Sequence, residues 1–209
     1  MEMLIQAGVV LAGYLLGSLS FAVIVSRVMG LNDPRSYGSK NPGATNVLRS
    51  GSKKAAILTL LLDAFKGWLP VALVLTYGPE YGLGPQVAAW AGLAAFLGHL
   101  YPVFFGFAGG KGVATAVGVV VGINGSLALA VVLSFAIVLF FSRYVSLASM
   151  VAAVFAPAFF LFGDGVAWEA TASEVLSLAT MALLLVWRHR ENINRLLAGT
   201  ESQLGKKKA

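Results

Sequence analysis

Four polar stretches interrupt an otherwise apolar chain, and each carries residue types that hold an anion. Gly30–Ser52 mixes Gly, Ser, Asn and Thr with Arg35, Lys40 and Arg49, against a single acid, Asp33. Glycines let backbone N–H groups approach a ligand closely, while hydroxyl, amide and guanidinium groups add directed donors that suit phosphate. The second stretch, Gly106–Thr115, sets Gly109, Gly110 and Gly112 around Lys111. It falls at an expected helix start, where N–H groups and the helix dipole favour negative charge. It is not a Walker A loop: Phe105 stands where that motif needs Gly, and Gly112 where it needs Ser or Thr. The third stretch is the short Ser142-Arg143-Tyr144. The fourth runs from Arg188 through His189, Arg190, Asn192 and Arg195 to Gly199-Thr200-Glu201.

Taken singly, each has an ordinary structural explanation. Glycine permits close helix packing, a lone Arg anchors a helix end, and a basic amphipathic segment lies on a membrane surface. Asp63 and Lys66, three apart on one helix face, read as a structural ion pair, since a lone charge at mid-membrane costs about 2.5–3.5 kcal/mol. His99 is expected toward the inner end of its span.

The elements that must position these residues follow from composition. Of 209 residues, 58% are apolar and 11% charged, and there is no Cys. A water-soluble domain has about 45–50% apolar and about 25% charged residues, so the solvent for most of this chain is lipid. Apolar runs at 3–25, 55–77, 85–105, 126–141, 145–162 and 173–187 are candidate spans, and 113–123 is a shorter one. Lys and Arg are missing from 67–110 and 144–187, so the positive-inside rule puts 26–54, 106–112, 142–144 and the tail from 188 in the cytoplasm. The expected fold is an all-α, polytopic bundle of seven transmembrane helices, N-terminus outside and C-terminus inside, forming one domain over 1–209. The net charge of +6 then reflects topology and attraction to anionic membrane lipid, the Lys206–Lys208 tail included, and not nucleic-acid binding. All four donor-rich stretches fall on one membrane face. This implies an anionic ligand entering from the cytoplasm.

The motifs together resemble the bacterial acylphosphate-dependent glycerol-3-phosphate acyltransferases. The resemblance rests on Gly38-Ser-Lys-Asn-Pro-Gly-Ala-Thr-Asn-Val-Leu-Arg49, Asp63-Ala-Phe-Lys-Gly67, Gly98-His-Leu-Tyr-Pro102 and Gly109-Gly-Lys-Gly-Val-Ala-Thr115. It continues with Ser142-Arg-Tyr-Val-Ser146, His189-Arg-Glu-Asn-Ile193 and Gly199-Thr-Glu201. Ala108 stands where the family pattern has Lys. The resemblance implies a multi-pass enzyme of the bacterial inner membrane without metal or cofactor; the motifs leave its oligomeric state open, and a monomer is compatible with them. Its reaction would move a fatty acyl group from acyl phosphate to the sn-1 hydroxyl of glycerol 3-phosphate, giving lysophosphatidic acid and phosphate. On this reading Arg49, Lys111 and Arg143 neutralise the two phosphates, helped by Ser142 and Asn46. Ser39, Asn41, Thr115 and the amides of Gly109, Gly110 and Gly112 hold the acyl phosphate. His189 and Asn192 border the glycerol. His99 is counted with the binding residues, as is Glu201, although the Glu201 carboxylate is expected to fix the tail more than to touch substrate.

The chain has no Cys, and neither histidine opens an H-x-x-x-x-D motif, since Phe104 and Asn194 occupy the fifth places. No Ser-His-acid triad can be read from spacing. Direct attack on the activated acyl phosphate, without an acyl-enzyme, is the expected chemistry. A small transporter for a phosphorylated metabolite is the alternative, although no repeat is visible and the polar clusters avoid the midplane.

Overall fold

The structure is a computed structural model that describes residues 2–205; the Lys206–Lys208 tail lies outside the described residues. Ten α-helices follow one another among the described residues: α1 (Glu2–Gly17), α2 (Phe21–Val28), α3 (Ala44–Val47), α4 (Lys53–Tyr77), α5 (Pro85–Leu100), α6 (Val113–Ile123), α7 (Gly125–Ser142), α8 (Val145–Phe162), α9 (Ala172–Arg188) and α10 (Arg190–Leu197). The chain divides into two compact units, Met1–Ile123 and Asn124–Ala209.

Four of the helices are long and apolar enough to cross a membrane, and the bent pair α1–α2 makes a fifth span if counted as one. The run 3–25, expected as one continuous span, is broken instead. Helix α1 stops at Gly17, the axis turns by 44°, and α2 begins at Phe21. The break is built from the polar residues that interrupt the apolar run. The Ser18 hydroxyl turns back to the Tyr14 carbonyl, and the Leu19 carbonyl accepts from the Lys66 ammonium of α4 at 2.7 Å. Backbone groups freed inside a membrane need such partners. The short run 113–123 is a single helix of 11 residues. At 1.5 Å per residue it extends about 16 Å, half of a hydrocarbon core about 30 Å thick.

In the first unit α5 is the enclosed helix, and small residues let its neighbours come close. Gly13 of α1 faces the Ala91 carbonyl so tightly that a Cβ there would sit 2.7 Å from its oxygen, and Gly17 meets the Ala95 carbonyl in the same way. Between α4 and α6, Gly67 abuts the Thr115 carbonyl and Gly118 abuts that of Ala64. Glycine here replaces side-chain interdigitation by backbone contact, the usual solution where lipid supplies no hydrophobic drive between helices. Beneath the long loop between α2 and α4, Ala22, Val25, Val47, Ala55 and Ala56 form a small core joining α2, α3 and α4, with Leu31 and Leu62 against it. In the second unit α7, α8 and α9 pack in sequence order. Asn124 caps α7 by accepting from the Leu127 N–H, and a Thr171–Glu174 capping box opens α9.

Replacing Gly118 by Leu drives a side chain into the Ala64 carbonyl. We expect a destabilisation of about 1–3 kcal/mol, the usual range for overpacking, read as a lowered Tm in detergent. Gly8, which has open space around it, serves as the control: Gly8→Leu leaves Tm unchanged.

Candidate active site

The loop between α2 and α4 is organised by one side chain. Asn46 is buried at the centre of the loop. Its amide nitrogen donates to the carbonyls of Pro34 (2.6 Å) and Tyr37 (3.1 Å). Its oxygen accepts from the Ser39 N–H (3.1 Å) and from the Arg49 guanidinium (3.3 Å). With both hydrogens and its oxygen engaged inside the chain, Asn46 positions the loop and holds Arg49, beside which it was expected. Gly38, at φ +58, passes over this amide, and any Cβ there would strike the Asn46 oxygen. Asp33 accepts from the Arg35 backbone and guanidinium, and that guanidinium holds its carboxyl below the usual carboxylate range, against a smaller opposing effect of burial. The pairing neutralises Arg35. Arg49 has no carboxylate partner among the described residues, and with Gly30, Leu31, Asn32, Tyr37 and Ser50 it lines a cavity of about 380 Å³. Ser39 is exposed and Asn41 half-buried beside it in sequence. Asn32 and Tyr37 were not among the expected site residues, because nothing in their spacing marks them.

The glycine loop lies against the end of α5. The Gly110 N–H donates to the His99 carbonyl at 3.1 Å, and Gly110 packs so closely on the His99 ring that no Cβ fits. Gly109 is pressed on the His99 and Leu100 carbonyls, and Gly112, at φ +85, on the Phe96 ring. The Gly110 amide, expected to hold an anion, here meets the His99 carbonyl. Lys111 is half-buried between these glycines. Thr115, expected to contact substrate, is fully buried and faces α4 at Gly67. Asp63 of α4 pairs with Lys66 at 2.8 Å, as expected, and its carboxylate also lies 3.6 Å from His99 Nδ1. The structure thus joins His99 to Asp63 and to the glycine loop, and joins Ser39, Asn46 and Arg49 in the longer loop. Arg35 lies over the Phe105 ring at 6.0 Å, linking the two loops.

In the second unit, Ser142 closes α7 by donating to the Val138 carbonyl at 2.6 Å and accepting from the Tyr144 N–H at 3.2 Å. Arg143 takes a left-handed backbone, φ +60, exposed and without a carboxylate partner among the described residues. Its carbonyl accepts from the Leu204 N–H at 2.8 Å. His189 is buried at the α9–α10 junction, its Nδ1 2.8 Å from the Leu185 carbonyl. That contact requires the proton on Nδ1, so the neutral ring presents Nε2 as acceptor. Glu201 is a tail clamp, as expected of it: one oxygen accepts from Ser146 (2.7 Å) and Asn192 (2.6 Å), the other from Arg195 (2.7 Å). Burial would raise its pKa, but these three donors outweigh burial and hold it below the ordinary 4.5. Ser146 was not expected in this role. Only folding reveals that its hydroxyl, 55 residues from Glu201, meets that carboxylate.

The match with the family model described as glycerol-3-phosphate acyltransferase extends over residues 7–199. The chain belongs to this family. It is 66% identical over 197 residues to the glycerol-3-phosphate acyltransferase of Albidiferax ferrireducens, covering 94% of this chain and 88% of that one. It is 59% identical over 204 residues to that of Bordetella petrii, covering 98% and 95%. Among solved structures it is similar to PlsY, an integral membrane glycerol 3-phosphate acyltransferase, in its glycerol 3-phosphate form. There the identity is 40%, the TM-score 0.87, and 96% of both chains are covered. The lysophosphatidic acid form gives a TM-score of 0.85. Like the other members, this acyltransferase is an all-helical, multi-pass membrane protein.

Two outcomes test the geometry. Asn46→Ala leaves two loop carbonyls without a donor, which costs about 1–3 kcal/mol and loosens Arg49; activity falls nearly as far as in Arg49→Ala. For Glu201 the folded value lies below the unfolded one, so its contribution is complete above about pH 4.5 and disappears as pH falls through the lowered folded value. Amide exchange of 199–204 therefore accelerates on acidification in the unaltered protein and is already fast, and insensitive to pH once corrected for intrinsic exchange, in Glu201→Ala.

Proposed function

We propose that this acyltransferase moves a fatty acyl group from acyl phosphate to the sn-1 hydroxyl of glycerol 3-phosphate, giving lysophosphatidic acid and inorganic phosphate. The observation that carries the proposal is Arg49, a cation held on the Asn46 amide, lining a polar cavity and without a carboxylate partner among the described residues. The relatives' names support the acceptor and product, and the match over 7–199 supports reading the whole chain as one acyltransferase. In the first unit Arg49 and Lys111 neutralise phosphate, with Ser39, Asn41 and the backbone of Gly109 and Gly112 bordering the acyl phosphate. In the second, Arg143 and Ser142 bind phosphate, while His189 and Asn192 border the glycerol.

The reaction is direct. The glycerol hydroxyl oxygen bonds to the acyl carbon, the carbon–oxygen bond to phosphate breaks, and the electron pair leaves with the phosphate, which also takes the proton. Acyl phosphate is already activated, so the protein supplies orientation and charge neutralisation. The polar loops face the bacterial cytoplasm, and the chain crosses the inner membrane seven times, with α1–α2, α4, α5, α6, α7, α8 and α9 as spans and the C-terminus inside; the short α6 crosses together with the glycine loop that packs against α5 before it. It acts without metal or cofactor.

Purified protein offered acyl phosphate, acyl-CoA or acyl carrier protein separately makes lysophosphatidic acid from acyl phosphate alone; product from acyl-CoA overturns the donor assignment. A missing general base typically costs about 10²–10⁴-fold, yet here the phosphate remains to take the proton. Arg49→Ala, Lys111→Ala and Arg143→Ala therefore fall below His189→Ala, and Lys111→Arg restores only part of the loss because the two cations differ in shape. Acylated protein trapped from radiolabelled acyl phosphate without acceptor would rule out direct transfer. Single cysteines at Ser36 and Ser202 react with an impermeant maleimide only from the cytoplasm, and those at Tyr81 and Val166 only from outside.

A further inference from the structure

The carboxylate of Asp63 does more than neutralise Lys66. It is buried in α4, with Lys66 Nζ at 2.8 Å on one side and His99 Nδ1 at 3.6 Å on the other. At 3.6 Å the second contact is electrostatic, stronger whenever the ring carries a proton. His99 in turn backs the glycine loop twice: its carbonyl accepts the Gly110 N–H, and its ring occupies the space that a Cβ on Gly110 would need. Gly110 precedes Lys111 directly. The chain of contacts Asp63–His99–Gly110–Lys111 lies wholly in the first unit and touches none of the cavity around Arg49.

We infer that Asp63 is a positioning residue: through the His99 ring it fixes the Gly109–Gly112 backbone and so aims Lys111. The consequence for turnover rests on Lys111 acting on phosphate, as proposed above. Backbone contact makes the device stiff. With no side chain on Gly110, a change in ring orientation has nothing to absorb it and shifts the loop itself. The same carboxylate holds Lys66, whose ammonium secures the Leu19 carbonyl at the α1–α2 break, so loop and break share one anchor.

Hydrogen exchange and turnover on the full-length protein test this, with Asp63→Asn, His99→Gln and the double variant compared in detergent. Exchange is read without substrates, so its outcome does not depend on the identity of the acyl donor. Peptides covering 106–113 exchange about tenfold faster or more in Asp63→Asn and in His99→Gln, while α8 and α9 keep their protection. Turnover falls in both singles, and the double variant is no worse than the weaker of them, because the two residues act as one unit. Where Asp63→Asn alone does not fold, Asp63→Asn with Lys66→Met removes both charges, and the same comparisons are made on that background. Exchange at 106–113 equal to the unaltered protein in a folded variant overturns the inference. So does a double variant whose loss is the product of the single losses, the result expected if His99 met substrate and Asp63 merely paired with Lys66.

Discussion

The ion pair between Asp63 and Lys66 is the constraint on which the first unit depends. Two charges buried in an apolar helix are tolerable only together, since removing one partner of a buried pair costs about 3–5 kcal/mol. Here each partner also has a second task. Lys66 donates to the Leu19 carbonyl, so the helix break that would leave a backbone group unsatisfied in lipid becomes a stable bend. The pair therefore stands where α1, α2, α4 and α5 have to agree, and it lies beside the glycine loop through His99.

Glycine supplies the precision around that centre. At Gly17, Gly67 and Gly118 the neighbouring backbone carbonyl occupies the space of a side chain, so helices are fixed by contacts that cannot repack by changing rotamer. The same device recurs at the loop, where Gly109, Gly110 and Gly112 lie on the end of α5. Donor-rich glycine loops invite a reading in terms of ligand alone. In this chain the packing requirement and the proposed anion site use the same residues: the bare backbone that lets the loop sit on His99 also carries Lys111 between its glycines.

Several polar residues near the cations spend their hydrogen bonds on placing other side chains. Asn46 spends its whole hydrogen-bonding capacity on the loop and on Arg49, and Glu201 gathers Ser146, Asn192 and Arg195 into one clamp. Neither places an uncompensated negative charge beside a phosphate. Asn46 is neutral, and the Glu201 carboxylate is surrounded by donors. Arg35 is silenced by Asp33 in its own turn, while Arg49 and Arg143 carry no carboxylate among the described residues. Charge is thus selected residue by residue, which composition alone does not show.

What the sequence determined by itself is the solvent of the chain, its helical class, the family, and the gathering of basic and donor residues into a few polar stretches. Each of these follows from local pattern: apolar runs of bilayer length, the distribution of Lys and Arg, and motifs in a fixed order. The Asp63–Lys66 pair was legible too, because three residues on one helix always share a face. The tertiary structure decided the rest. It broke the first apolar run at Ser18–Ser20, since only a lysine 47 residues away could satisfy the exposed carbonyl. It gave Asn46, Gly110 and Thr115 their neighbours within the fold, since burial and the partner of a polar atom depend on neighbours distant in sequence. It also assigned Ser146 to Glu201 and His99 to Asp63. Spacing along one helix is fixed by the backbone repeat, whereas contact between helices is fixed by how closely their glycines let them approach.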